Sequence, residues 1–169
     1  MNIKFKHFPS VKSMMVFEKE FEPELRNSYR EKKELIADMD EVIAGYIDGE
    51  LFFEWYGGRI GCGDTVYDEP INPGQPDYPE FGYKNWDTST TFYCCSNGLL
   101  KKYQNKGLGT ICKAYTLGYL KGLKYEWIVG HANKEGSLQL NLRFGAKAIH
   151  SFTNWYGTGS TYVLYSIKL

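Results

Sequence analysis

Gln104-Asn105-Lys106-Gly107-Leu108-Gly109-Thr110 stands between an apolar and aromatic run, Thr91-Phe92-Tyr93-Cys94-Cys95, and a helical pattern that reaches about Gly122. A glycine-rich turn that leads from a strand into a helix exposes backbone N–H groups with no partner inside the helix. The positive end of the helix dipole adds to them, so the turn suits a phosphate. Glycine lets a pyrophosphate come close to the backbone. The stretch is not a P-loop, because the Lys-Ser/Thr pair is missing. Its glycine spacing is also not that of a dinucleotide fold.

The rest of the chain arranges itself around this turn. Asn2 to His7 alternates apolar and polar residues and predicts a first strand. Ser10 can cap a helix to about Phe21, and Pro23 can open a second, charged helix to about Lys33. Glu41 to Tyr56 is the clearest hairpin. Asp48-Gly49 sits between two alternating runs as a type I′ turn requires, and Gly57-Gly58 is expected to end the second strand. A strand is predicted over Thr88 to Ser96, a helix from Lys106 to Gly122 and a short strand over Tyr125 to Val129. A break at Gly130 to Asn133 follows. Asn133 then caps a helix from Lys134 to about Phe144, closed by Gly145 in the left-handed conformation. Two strands end the chain, about Ala146 to Phe152 and Ser160 to Ile167, around an aromatic turn at Asn154 to Gly157.

This order predicts one α/β domain (an α+β mixed sheet) over residues 1–169, with helices on its faces. Arg59 to Asp87 departs from the pattern. It carries four prolines and five aromatic residues without periodicity. The expectation is an irregular insertion, either a surface excursion packed by its own rings or a wall of the substrate site.

Two motifs carry a resemblance. Gln104-x-x-Gly107-x-Gly109 resembles the acetyl-coenzyme A signature of the GNAT superfamily of N-acetyltransferases. Further along, Asn133, then Ser137, then Phe144-Gly145-Ala146, is similar to the family's next helix, which opens near an asparagine and a small residue and ends at a glycine. The likeness covers about residues 88–152 well, residues 1–57 by element order alone, and 59–87 not at all. It implies the GNAT acyl-CoA N-acyltransferase fold, a mixed sheet of about seven strands with helices on both faces. It also implies transfer of an acetyl group from acetyl-CoA, as co-substrate and without a metal, to a primary amine on a small molecule or a protein.

The resemblance assigns roles by position. Backbone N–H groups of Gln104, Asn105, Lys106, Gly107, Leu108, Gly109 and Thr110 would hold the pyrophosphate. The stretch at Gly98, Leu99 and Leu100 would pair with the pantetheine arm, and Asn133 and Ser137 would border it from the next strand and helix. The thioester would lie where the two strands part. Many members carry a tyrosine four residues before the helix-ending glycine, which protonates the departing thiolate. Here that position is Asn141, and an amide cannot act as a general acid. The alternative is therefore a weak or inactive acyl-CoA-binding or protein-interaction module.

The amine must be neutral to attack, and something must take its proton. His131, at the end of the strand beside the parting, is the first candidate base, since an ordinary imidazole titrates near ~6.5. Its bland alternative is a strand-end packing residue. Tyr93 stands across the parting as a second candidate, with Asp87 and Glu126 weaker ones. His7 and His150 show no metal constellation.

Composition narrows the field. Twenty basic and twenty acidic residues cancel, so there is no general electrostatic footprint for nucleic acid, and a base- or aminoacyl-tRNA-modifying enzyme is a distant rival. Hydrophobic residues make up 43% and aromatic ones 17%, as a packed core needs. Cys62, Cys94, Cys95 and Cys112 lack metal-binding spacing and are expected to be reduced thiols. No apolar run nears the roughly 18 residues of a membrane span. The expectation is a cytoplasmic protein, with a homodimer through the final hairpin left open.

Overall fold

A computed structural model describes residues 1–8, 41–59, 86–87, 89–134, 136–153 and 159–169. The two helices expected before Glu41, most of the 59–87 insertion, Cys62 and the aromatic turn after Thr153 lie outside the described residues.

Among the described residues seven strands form one sheet: β1 (Ile3–Phe8), β2 (Glu41–Ile47), β3 (Glu50–Arg59), β4 (Thr91–Leu99), β5 (Trp127–Asn133), β6 (Lys147–Phe152) and β7 (Tyr162–Lys168). Their order is β1-β2-β3-β4-β5-β7-β6. Every neighbouring pair is antiparallel except β4 and β5. A parallel pair needs a crossover, and α1 (Leu108–Gly122) supplies it. The second helix, α2 (Ser137–Arg143), connects β5 to β6.

The β2–β3 turn is built as its residues require. Asp48 and Gly49 have φ of 50° and 92°, the positive values of a type I′ turn. β3 does not end at Gly57-Gly58 but runs on to Arg59. The glycine is needed there for room: a Cβ on Gly57 would stand 2.1 Å from the Tyr93 carbonyl oxygen.

Both faces of the central strands are buried. One face carries Ile43, Trp55, Phe92, Cys94, Ile128, Tyr165 and Ile167, and meets Leu108, Cys112 and Leu120 of α1 and Leu138 of α2 in a single core. α1 extends as far as β1, where Tyr115 stacks on Phe5 with centroids 3.8 Å apart and meets His7 Nε2 at 2.5 Å. The expected helices on the other face fall outside the described residues.

Further boundaries differ from those the sequence predicts. Gly130 to Asn133 is not a break but the second half of β5, paired with β7. Asn133 is therefore a strand residue and not the N-cap of α2. α2 opens three residues later than predicted, after Gly136 and without a side-chain cap. The helix after the glycine turn opens at Leu108 rather than Lys106.

Candidate active site

β4 and β5 pair only from Thr91↔Trp127 to Cys94↔Gly130. Both strands then continue, β4 to Leu99 on the β3 side and β5 to Asn133 on the β7 side. The result is a fork: two strand edges that face each other without pairing. A bulge sits at its root, because Gly57 lies opposite Cys94 and Tyr56 opposite Ser96, leaving Cys95 as the extra residue.

The β4 arm of the fork runs into the glycine turn. Leu100 ends the arm, and both its backbone groups are engaged: the N–H donates to Phe52 O at 3.0 Å and the carbonyl accepts from Tyr103 N–H at 2.8 Å. The Leu100 N–H is thus used toward β3 and its carbonyl within the turn that follows. A 3-10 turn, Lys101–Tyr103, follows. Gln104 folds back and donates its Nε2 to Leu99 O at 2.9 Å, which ties the turn to the strand.

Asn105 and Gly107 take positive φ of 58° and 77°, so the chain coils tightly before α1. Asn105, Lys106 and Gly107 are exposed, and a Cβ on Gly107 would meet nothing within 4 Å. The space above the turn is open. The first-turn N–H groups of α1 have no partner within the helix, except that Thr110 N–H donates to Gly107 O at 3.1 Å. Gly109 serves packing as well, since its Cβ position lies 3.4 Å from Leu140 of α2.

No acidic residue lies in the first turn of α1, and Lys101, Lys102 and Lys106 surround the turn. Lys102 pairs with Glu50, which also accepts from Tyr103 Oη at 2.6 Å. Lys102 and Lys106 stand 5.2 Å and 5.9 Å from the Tyr103 ring centroid. With Lys102 matched by Glu50, Lys101, Lys106 and the helix N-terminus give the turn itself the sign that suits an anion.

At the root of the fork, Tyr93 and His131 meet on the face opposite Cys94. The Tyr93 hydroxyl and His131 Nδ1 are 2.7 Å apart. The ring of Phe152 lies 5.4 Å beyond His131, and His150 lies 4.8 Å from Phe152. Burial pushes the His131 imidazolium down to about 3. This corrects the expectation of an ordinary imidazole: His131 is neutral at physiological pH. The bond to Tyr93 can run either way, depending on which ring nitrogen holds the proton.

Two sequence candidates are far from this place. Asp87 precedes β4 at the end away from the fork, where its carboxylate accepts from Ser89 N–H at 2.8 Å and Ser89 Oγ at 2.6 Å. Those bonds hold its carboxyl below the usual range. Glu126 is exposed at the same far end, just before the Thr91↔Trp127 pair. Ser137 begins α2, and Asn133 ends β5 opposite Tyr162, on the β5 side of the fork.

Asn141 is buried within α2, with its Nδ2 donating to Ser137 O at 3.0 Å. The sequence did not single out Lys113. It lies inside α1 and is 5% exposed, and its Nζ sits 5.5 Å from the Tyr165 ring centroid. Cys94 and Cys112 are free thiols, both raised by burial, Cys112 to about 12. No group of metal-binding side chains occurs among the described residues.

A forked mixed sheet with a glycine turn at the mouth of the fork is the architecture of the GNAT acetyltransferases, and the chain has that fold. It is similar to the acetyltransferase of Bacillus subtilis in complex with CoA (10% identity, TM-score 0.61, 99% of each chain). It is also similar to the ribosomal-protein-S18-alanine N-acetyltransferase of Escherichia coli (8% identity, TM-score 0.60, 99% of this chain and 94% of that one). A third is a GNAT family acetyltransferase of Elizabethkingia anophelis with acetyl-CoA bound (13% identity, TM-score 0.57, 99% of each chain). No protein-family profile and no curated protein sequence matches the chain.

Proposed function

We propose that the chain is a GNAT-type N-acetyltransferase, one domain over residues 1–169 with an insertion at about 59–87. It moves an acetyl group from acetyl-CoA to a primary amine by direct attack on the thioester. The observation that carries this reading is the fork itself, whose β4 arm leads straight into the open, basic turn at Gly107. The pyrophosphate sits on the N–H groups from Asn105 to Gly109, with Lys106 beside it. The pantetheine arm adds to the β4 edge near Leu99 and Leu100, and Asn133 and Ser137 border it from the β5 side. Two of the similar proteins hold CoA or acetyl-CoA, and one is named for an alanine N-acetyl transfer, which supports both halves of the reading.

Tyr93 and His131 then form a neutral proton relay. A phenol and an imidazole joined by one hydrogen bond can take a proton at one end and give one at the other, with the imidazole changing tautomer between them. No imidazolium forms, so a value near 3 is no obstacle. The nitrogen of the amine loses a proton as its bond to carbon forms, and the sulfur of coenzyme A gains one as it leaves. The relay supplies from β4 and β5 what Asn141 cannot supply from α2.

Asn141 also favours a second reading, an acyl-CoA-binding module that turns over slowly or not at all, because an amide cannot give up a proton and its nitrogen is bonded inside its own helix. Calorimetric titration with acetyl-CoA, against NAD and ATP, tests what both readings share. Micromolar binding of acetyl-CoA alone supports it, and absence of binding overturns both. Release of thiol on adding an amine then separates the enzyme from the module. The free thiols Cys94 and Cys112 fit work in the reducing cytoplasm, and no described helix is long and apolar enough to cross a membrane. The zero net charge speaks against a nucleic-acid acceptor. A homodimer would place two forks in one particle.

A further inference from the structure

A lysine in a protein core calls for a reason, because its ammonium loses water that only a partner can replace. Lys113 lies in the second turn of α1 and is 5% exposed. Its Nζ is shut off from solvent with no hydrogen-bond partner among the described residues. The nitrogen lies over the ring of Tyr165, 5.5 Å from its centroid. Tyr165 stands opposite Gly130 in the sheet, and its hydroxyl hydrogen-bonds the Cys94 thiol. Cys94 and Gly130 are the last residues that join β4 to β5. The amine therefore ends beneath the root of the fork, on the α1 face, while Tyr93 and His131 occupy the other face.

The surroundings set its chemistry. Burial lowers the pKa of Lys113, which favours the neutral amine, and burial keeps the neighbouring Cys94 a thiol. A lysine shifted toward its neutral form by desolvation is a better nucleophile.

We propose that Lys113 is itself an acyl acceptor, modified in cis by a thioester lodged in the fork above it. The inference rests on the acetyl-CoA reading of the site. The Nζ lone pair forms a C–N bond to the thioester carbonyl carbon. The C–S bond breaks with its electron pair on the coenzyme A sulfur, and the proton shed by the nitrogen ends on that sulfur. The products are an N-acetyl-lysine amide and free coenzyme A. An amide carries no charge, so the acetylated side chain rests in the core without a desolvated cation.

The test uses the whole chain. It is incubated with acetyl-CoA near neutral pH and digested for peptide mass mapping, with calorimetric titration of acetyl-CoA in parallel. The expected result is one acetyl group on Lys113, added ahead of the exposed Lys101, Lys106 and Lys121 and suppressed by excess coenzyme A. Lys113→Arg and Lys113→Met lose that mark and still bind acetyl-CoA. Binding of acetyl-CoA with Lys113 unmodified, or with only exposed lysines marked, overturns this proposal alone. A chain that does not bind acetyl-CoA overturns it together with the cofactor reading.

Discussion

Tyr165 reaches across Gly130: a Cβ at residue 130 would stand 3.0 Å from the tyrosine hydroxyl and 3.0 Å from the Cys94 carbonyl oxygen. Both the hydroxyl and the carbonyl belong to the buried root of the fork. Gly130→Ala must therefore push one of them aside, and overpacking of this kind costs ~1–3 kcal/mol. The urea midpoint should fall accordingly. Removing the hydroxyl in Tyr165→Phe should recover part of the loss in the double variant, and strictly additive effects would refute the contact.

Tyr93 and His131 act as one unit if they relay a proton. Tyr93→Phe and His131→Ala should each lower kcat by ~10²–10⁴-fold, the usual worth of a positioned proton-transfer group. The double variant should be hardly worse than the poorer single one, since half a relay does nothing. Thiol release under saturating acetyl-CoA measures this. Losses that multiply would mean two independent roles.

The pH dependence of stability follows from the depressed imidazolium. His131 titrates at about 3 in the folded chain, against an ordinary 6.5. Below the ordinary value the unfolded chain takes up a proton that the folded chain refuses. Stability from this group is therefore full above pH ~6.5 and falls as the pH drops toward 3, by at most ~5 kcal/mol. His7 is depressed by burial too, and adds a slope of the same sign. The difference between wild type and His131→Phe in denaturation midpoint from pH 7.5 to 4.5 isolates the residue. Parallel curves would contradict the burial that sets its value. The same neutrality predicts that kcat/KM shows no break near pH ~6.5 that His131→Ala abolishes.

The turn at Gly107 is open, exposed and left-handed, so a bulky acid there alters charge and access more than packing. Gly107→Glu should abolish acetyl-CoA binding in calorimetry and leave far-UV circular dichroism unchanged. The strain of a side chain at φ +77° should cost ~1 kcal/mol. Unaltered affinity would remove the turn from the pyrophosphate site.

The sequence was most legible where one residue type has one use. Asp48-Gly49 is a type I′ turn, and Gly145, with φ of 82°, closes α2 in the left-handed region. It was least legible where glycine serves space rather than a turn. Gly57 and Gly130 predicted the end of one strand and a break after another. Both lie inside strands, where a missing side chain admits the Tyr93 carbonyl in one case and the Tyr165 hydroxyl in the other. Of the candidate site, the glycine turn before α1 was readable from its spacing. The partnership of Tyr93 with His131 was not, because it depends on parallel registry between strands far apart in the chain. Lys113 was missed for a related reason. It adjoins the buried stripe of Leu108, Cys112, Thr116 and Leu120, and its charge suggests the water-facing side of α1.

The fork has a mechanical side. β1 to β4 form one antiparallel ribbon and β5 to β7 another, and the two are stitched by four residue pairs of parallel ladder, the weaker kind of pairing. Amide hydrogen exchange should accordingly find two blocks that open independently, with the seam between them more labile than either. A thioester arm laid along β4 would act as a splint across that seam, so occupancy of the slot and cohesion of the sheet should rise and fall together.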